Sequence, residues 1–236
     1  MRRDGGVDVD MAVPGLPIEL VGDRDHSEHV LSGHPGVGGF VAGKAKTTAM
    51  SFLAPGALTI ANGDAWLRLR PFNEQVLSTG LPHPFAQTFL GHVRAAFATP
   101  VTSVDDVRAA MGRAMVNIVL GAVPAGEDPA GDVTVLFGVV QSPIKRKLLG
   151  FWYRRRRERL YELLARKWDQ SAAAGTAAEE PTLISLARRH APGVDRMTLL
   201  QQIPHWMFTF TGSGTDLLAR TLMLVTSRPD VHTRVL

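Results

Sequence analysis

The sequence predicts a mainly α-helical chain with at most a short strand or two. Three observations carry this. Apolar residues recur at three- and four-residue spacing through residues 103–120, 148–168 and 205–226. Those stretches are bounded by helix punctuation: Gly121 after the first, Pro204 before the last and Arg228-Pro229 behind it. Strand-like alternation is confined to Ile18-Glu19-Leu20-Val21. With 236 residues, 45% of them hydrophobic, the chain can bury a core as one large domain or two small ones.

Residues 1–15 are Gly-rich and aperiodic and are expected to be loose; the organised part spans residues 16–236. After the short strand, Asp23 is placed to cap a helix running to Leu31. His26, Glu28 and His29 lack the spacing of a zinc helix and read as surface residues, so no metal ligand is assigned. Gly33 to Gly39 reads as a mobile loop. It is not a phosphate cradle, since neither a following Lys-Ser/Thr nor a Rossmann spacing is present. Asn62-Gly63 supplies a turn and Asp64 a cap, which puts Trp66 and Arg70 one turn apart on one helix face. An indole N–H and a guanidinium aimed the same way make a claw for a carboxylate, although an aromatic packed under a surface Arg has the same spacing. Pro71 removes one helical hydrogen bond directly afterwards.

Helices are expected over Leu81–Phe97 and Ser103–Leu120, the second with Val107, Met111, Ala114, Met115, Ile118 and Val119 as its apolar stripe. Val123–Pro129 is a loop, and Val133–Val140 an apolar run whose type periodicity leaves open. Tyr153, Leu160, Leu163, Leu164 and Trp168 give an amphipathic helix over Leu148–Trp168. A loop over Ser171–Pro181, a short helix at Leu183–His190 and Met197–Leu200 lead to the last long element.

That element, from His205 towards Pro229, is expected to be one helix of about 33 Å. Its middle is unusual: Thr211-Gly212-Ser213-Gly214-Thr215-Asp216 is small and polar between apolar ends. Each interior glycine costs about 1 kcal/mol relative to alanine, so a close approach to the backbone or a local bulge is expected. Phe208, Thr211/Gly212, Thr215, Ala219 and Leu222 share a face, making a notch floored by Gly212, while Asp216 and Arg220 are spaced to pair. A small-residue helix crossing gives the same pattern.

The run Thr211-Gly212-Ser213-Gly214-Thr215, followed by Ser227-Arg228-Pro229-Asp230-Val231, resembles the long central helix of cytochrome P-450 enzymes and the turn behind it. Gly63-Asp64-x-Trp66-x-x-x-Arg70 resembles the start of that family's C helix, and the order of helices is similar to its B-to-I run. The resemblance implies the front half of the cytochrome P-450 fold, truncated after the central helix. It implies a haem-dependent monooxygenase that oxidises an apolar organic substrate with dioxygen, fed electrons from NAD(P)H by a ferredoxin or flavoprotein reductase. Trp66 and Arg70 would hold a haem propionate, Thr211 and Gly212 would lie against the cofactor, and Thr215 would be the catalytic hydroxyl that steers protons. Gly214 stands where the family has an acid, so that relay carboxylate is missing. The Glu-x-x-Arg helix and the cysteine loop that ligates iron are missing too, so this chain alone is expected to be inactive, and the apolar stripe of its last helix to stand exposed.

Composition bounds the remainder. There is no cysteine, which excludes disulfides, zinc thiolates and cysteine nucleophiles. No apolar run follows the basic start and none is long enough for a membrane span, so a cytoplasmic protein is expected. Net charge is only +4, but Lys145–Arg159 holds eight Lys/Arg against the single acid Glu158. A solvated helix face explains the cluster; nucleic acid, an anionic membrane surface or an acidic partner are the sharper readings. The rival function, a helical ligand-binding or regulatory protein that meets DNA or an acidic partner through this helix, rests on the same residues.

Overall fold

The computed structural model describes residues 9–13, 16–20, 23–35, 38–140, 142–173, 181–191, 193–228 and 230–231. The chain is mainly helical. Strands β1 (Val9–Val13) and β2 (Leu16–Leu20) pair antiparallel, with Met11 opposite Ile18. Residues 9–13 thus belong to a strand rather than to a loose terminus. Helix α1 (Arg24–Ser32) starts where Asp23 accepts the His26 N–H at 2.9 Å. Two-residue strands β3 (His34–Pro35) and β4 (Gly38–Gly39) then pair in parallel, within the segment read as a loop.

Helix α2 (Lys44–Leu53) leads through a 3-10 turn (Leu58–Ile60) into α3 (Gly63–Leu77). The N-cap of α3 is Asn62, not Asp64, which sits in the first turn; Gly63 has φ +52°, a left-handed value that favours glycine. Helix α4 (Ala86–Ala96) begins later than Leu81 because Pro82 and Pro84 interrupt the pattern before it. Helix α5 (Val104–Leu120) opens with a reciprocal cap: Ser103 Oγ accepts the Asp106 N–H at 3.1 Å, and Asp106 Oδ2 accepts the N–H groups of Ser103 and Thr102 at 2.9 Å. Those donors, the Thr102 N–H first, hold the Asp106 carboxyl at a pKa of about 2.

The run left open by periodicity is helix α6 (Pro129–Val140), antiparallel to the 31-residue α7 (Pro143–Ala173). Salt bridges Asp132–Arg156 and Glu127–Arg166, both 2.5 Å, pin the two. Helix α8 (Leu183–Arg189) carries a second reciprocal cap, Thr182 with Ser185, and α9 (Arg196–Leu200) follows. The last element is not one uniform helix. It is α10 (Ile203–Thr209), a π-helical segment (Phe210–Gly214) and α11 (Thr215–Thr226), joined through right-handed helical backbone.

The core lies where α5 meets α4, α6, α8, α10 and the π segment. Its largest fully buried side chains include Met115, Leu120, Leu136, Leu160, Leu164, Leu200, Ile203, Trp206 and Met207. One polar cluster sits among them. The Gln202 amide donates to the carbonyls of Gly56 (2.7 Å) and Thr198 (2.8 Å), and its oxygen accepts the Leu58 N–H (2.9 Å). Asn73 donates to Leu69 O (2.8 Å) and accepts the Trp206 indole N–H (2.7 Å). Gln202, Asn73 and Trp206 are buried, so the irregular 54–58 segment has its backbone groups paired inside the protein rather than by water.

Replacing Gln202 by Met keeps the volume but leaves the Leu58 N–H and the Gly56 carbonyl unpaired. The expected loss is about 3 kcal/mol of unfolding free energy in urea, with the slope unchanged.

Candidate functional site

The small polar stretch that stood out in the sequence spans the π segment and the start of α11, and both of its threonine hydroxyls turn inward on the helix itself. Thr211 Oγ1 donates to Met207 O at 3.2 Å, four residues back. Thr215 is buried, and its Oγ1 donates to Phe210 O at 3.0 Å, five residues back, beside its own N–H to the same carbonyl. The i→i+5 bond of the wider turn is thus doubled at Phe210 O, the Thr215 hydroxyl adding a second donor to that carbonyl.

The glycines explain why this happens here. A Cβ on Gly214 would lie 3.1 Å from the Thr209 carbonyl oxygen, tight against the helix backbone. A Cβ on Gly212 would lie 2.7 Å from the Phe208 ring. Phe208 stacks on Phe137 of α6, with ring centroids 3.5 Å apart and planes 22° from parallel. The notch above Gly212 is therefore occupied by an aromatic side chain of the same helix.

Trp66 and Arg70 are indeed neighbours on α3, with the Arg70 guanidinium carbon 5.9 Å from the Trp66 ring centroid. Their partner is local: Arg70 Nε donates to Glu74 Oε1 at 2.6 Å, and both side chains are more than two-fifths exposed. Helix α3 packs chiefly on α8 and the 3-10 turn, whereas the π segment packs on α5, α6, α10 and α11. Beside the π segment a cavity of about 660 Å³ is lined by Arg108, Gly112 and Arg113 of α5, Ala130 and Thr134 of α6, and Thr211. Of the five residues singled out in the sequence, Thr211 lines this cavity and Trp66, Arg70, Gly212 and Thr215 do not. The Asp216–Arg220 pair does not form; Asp216 lies 3.7 Å from Arg108 of α5 instead, a cross-helix contact that intrahelical spacing cannot anticipate.

Tested as a seat for a flat cofactor, these residues do not fit as they stand. The bare backbone at Gly212 is covered by Phe208, Arg70 is engaged by Glu74, and the chain has no cysteine. Among the described residues no three His, Cys, Asp or Glu side chains are grouped to hold a metal ion. No helix of the described residues is long and apolar enough to cross a membrane.

One feature at the start of this rod escaped the sequence reading, and at its far end the expected apolar exposure falls on other residues than the predicted stripe, of which Thr215 and Ala219 are buried. Near its start His205 is mostly buried with Nδ1 unpartnered, and burial, reinforced by Lys46, lowers its pKa below 6.5. Beyond the bulge, Leu217, Met223 and Leu224 of α11 are 63–68% exposed. Each forgoes about 1.5–3 kcal/mol that burial would contribute, so this face has the chemistry of a contact surface. Compared with known proteins, the chain matches no family model and no curated protein.

Two outcomes follow from this geometry. Gly212→Ala is expected to destabilise the protein by about 1–3 kcal/mol despite its better helix propensity; in a Phe208→Ala background the same change becomes neutral or stabilising, a coupling read from a double-mutant cycle in urea. His205 is neutral in the folded state and protonates more readily once unfolded. Stability is therefore full above pH 6.5 and falls as pH drops through 6.5 towards the lower folded value. His205→Gln should flatten the urea midpoint between about pH 7 and pH 5.5.

Proposed function

We propose that the chain is the dioxygen-side half of a haem-thiolate monooxygenase of the cytochrome P-450 kind. The observation that carries the reading is the π bulge itself: the rod opens by one residue at Phe210–Gly214, where two glycines coincide with the Thr215 hydroxyl directly behind them. The succession of α3 with its Trp66–Arg70 stack, α4 to α9 and then the bulged rod supports it, as does the exposed apolar face of α11.

In this reading the parent enzyme inserts oxygen into an apolar organic substrate, with electrons from NAD(P)H through a ferredoxin or flavoprotein. Haem, once bound, would supply the iron chemistry. This chain contributes Arg70 and Trp66 as a carboxylate grip, Thr211 and Gly212 as the wall of the groove, and Thr215 as a hydroxyl that holds a proton at Oγ1. Those roles would require Arg70 to exchange Glu74 for a ligand carboxylate and Phe208 to leave Gly212 and its stack on Phe137. These 236 residues cannot provide the thiolate, so the chemistry needs a cysteine from elsewhere.

The test begins with the DNA immediately downstream, where an open frame encoding Glu-x-x-Arg and a Cys-containing loop is expected. The protein expressed with that segment should retain haem and give a thiolate-type carbon monoxide spectrum, with Arg70→Ala lowering haem affinity about tenfold. Absence of such a frame, or haem retention indifferent to Arg70→Ala, overturns the reading.

A further inference from the structure

The first three turns of α7 turn one apolar face outward. Ile144, Leu148, Phe151 and Trp152 are each 66–73% exposed, although the helix they belong to is anchored further along by the buried Leu160, Leu163, Leu164 and Trp168. At 100° per residue the four exposed side chains fall within about 100° of arc, so they form one continuous apolar stripe. The stripe points away from the face that carries Leu160 and Leu164.

Cations border it on both sides. Lys145 flanks one edge and Lys147 and Arg154 the other, while Arg155 and Arg159 continue along the stripe's own direction one to two turns further on. Arg156 and Arg157 are committed elsewhere, to Asp132 and to the Tyr161 ring. Lys145, Lys147, Arg154 and Arg159 are exposed and have no ion-pair partner among the described residues. Arg155 lies 5.7 Å over the Phe151 ring, joining charge to the apolar surface.

We propose that the N-terminal part of α7 is a docking surface for an anionic lipid bilayer. The helix lies in the headgroup region, with Ile144, Leu148, Phe151 and Trp152 dipped below the phosphates and the flanking Lys and Arg side chains among them. Two kinds of observation select this occupant. Phosphate recognition on a nucleic acid uses the cations but gives no role to four large apolar side chains raised on the same face. A bilayer interface uses both together, and it favours an indole, whose N–H stays among headgroups while its rings enter the acyl region. This is attachment to a surface, in keeping with the lack of a described helix that could cross. It is independent of the proposed oxidation chemistry.

The full chain is mixed with vesicles of phosphatidylcholine alone or with one part in three of phosphatidylglycerol, and binding is read by co-sedimentation and by tryptophan emission. Trp168 and Trp206 are buried and Trp152 is the most exposed indole, so insertion reports through Trp152. Expected are sedimentation and a blue shift with the anionic vesicles, both weakened by salt, and neither with phosphatidylcholine alone. Trp152→Phe should keep sedimentation and lose the shift. Leu148→Ser with Trp152→Ser should weaken partitioning at least tenfold, and Arg154→Gln with Arg155→Gln on the order of 20-fold. All these positions are exposed, so far-UV circular dichroism stays unchanged. The proposal is overturned if anionic vesicles do not bind, or if binding ignores the Leu148/Trp152 pair. It is equally overturned if duplex DNA binds more tightly and survives that pair of changes, or if the stripe serves a dimer of this chain that forms without lipid.

Discussion

The amide of Gln202 is the fixture on which the molecule is assembled. It lies where three pieces of backbone that share no ladder converge: the 54–58 segment, α3 and the junction of α9 with α10. Burying such a junction without partners would cost several kcal/mol, so the side chain that satisfies it determines how those pieces sit. Asn73 extends the arrangement by accepting the Trp206 N–H, which sets the indole against Phe72 with ring centroids 6.3 Å apart. The rod that leaves this junction therefore departs in a defined direction, and its central segment arrives beside α5 and α6.

The same rod shows how a helix accommodates one residue too many. Gly214 admits the Thr209 carbonyl, the Thr215 hydroxyl satisfies the carbonyl of Phe210, and Gly212 admits the Phe208 ring. None of the three would suffice alone. A Cβ at either glycine crowds its neighbour, and without the hydroxyl a part-buried acceptor loses one of its two donors. The aromatic stack on Phe137 then holds this segment to α6, in the place where an otherwise bare backbone would face a void.

Local chemistry was legible in the sequence wherever the cause was local. Asp23 capped its helix, Gly121 followed the end of α5, and the interior glycines marked an irregular turn, because caps and backbone permissiveness act within a few residues. The strand at Val9–Val13 was missed because Gly-rich flanks hid a register that only its pairing with Leu16–Leu20 defines. Phe208 and Gly212 were correctly assigned to one face, yet spacing alone says nothing of whether a ring or another molecule fills the space; the rotamer decides, and Phe137 decides the rotamer. Gln202 and Asn73 drew no notice in the sequence for a related reason. Gln202 owes its worth to backbone groups more than a hundred residues away in sequence and Asn73 to the equally distant Trp206 indole, and the one available signal was two adjacent glutamines just ahead of Pro204.

Helix α7 joins two mechanical regimes in 31 residues. Its far half is bolted down by Leu160, Leu163, Leu164 and Trp168, by the Tyr161 hydroxyl on Leu53 O at 2.9 Å and by Arg166 on Glu127. Its near half lies along α6, held there by Arg156 on Asp132 and by Tyr153 against the core, and leaves its other face, with Ile144, Leu148, Phe151 and Trp152, exposed. Sequence changes on that outer face are consequently cheap for folding, so it is open to reshaping by selection while the inner face of the same helix is held to its present side chains.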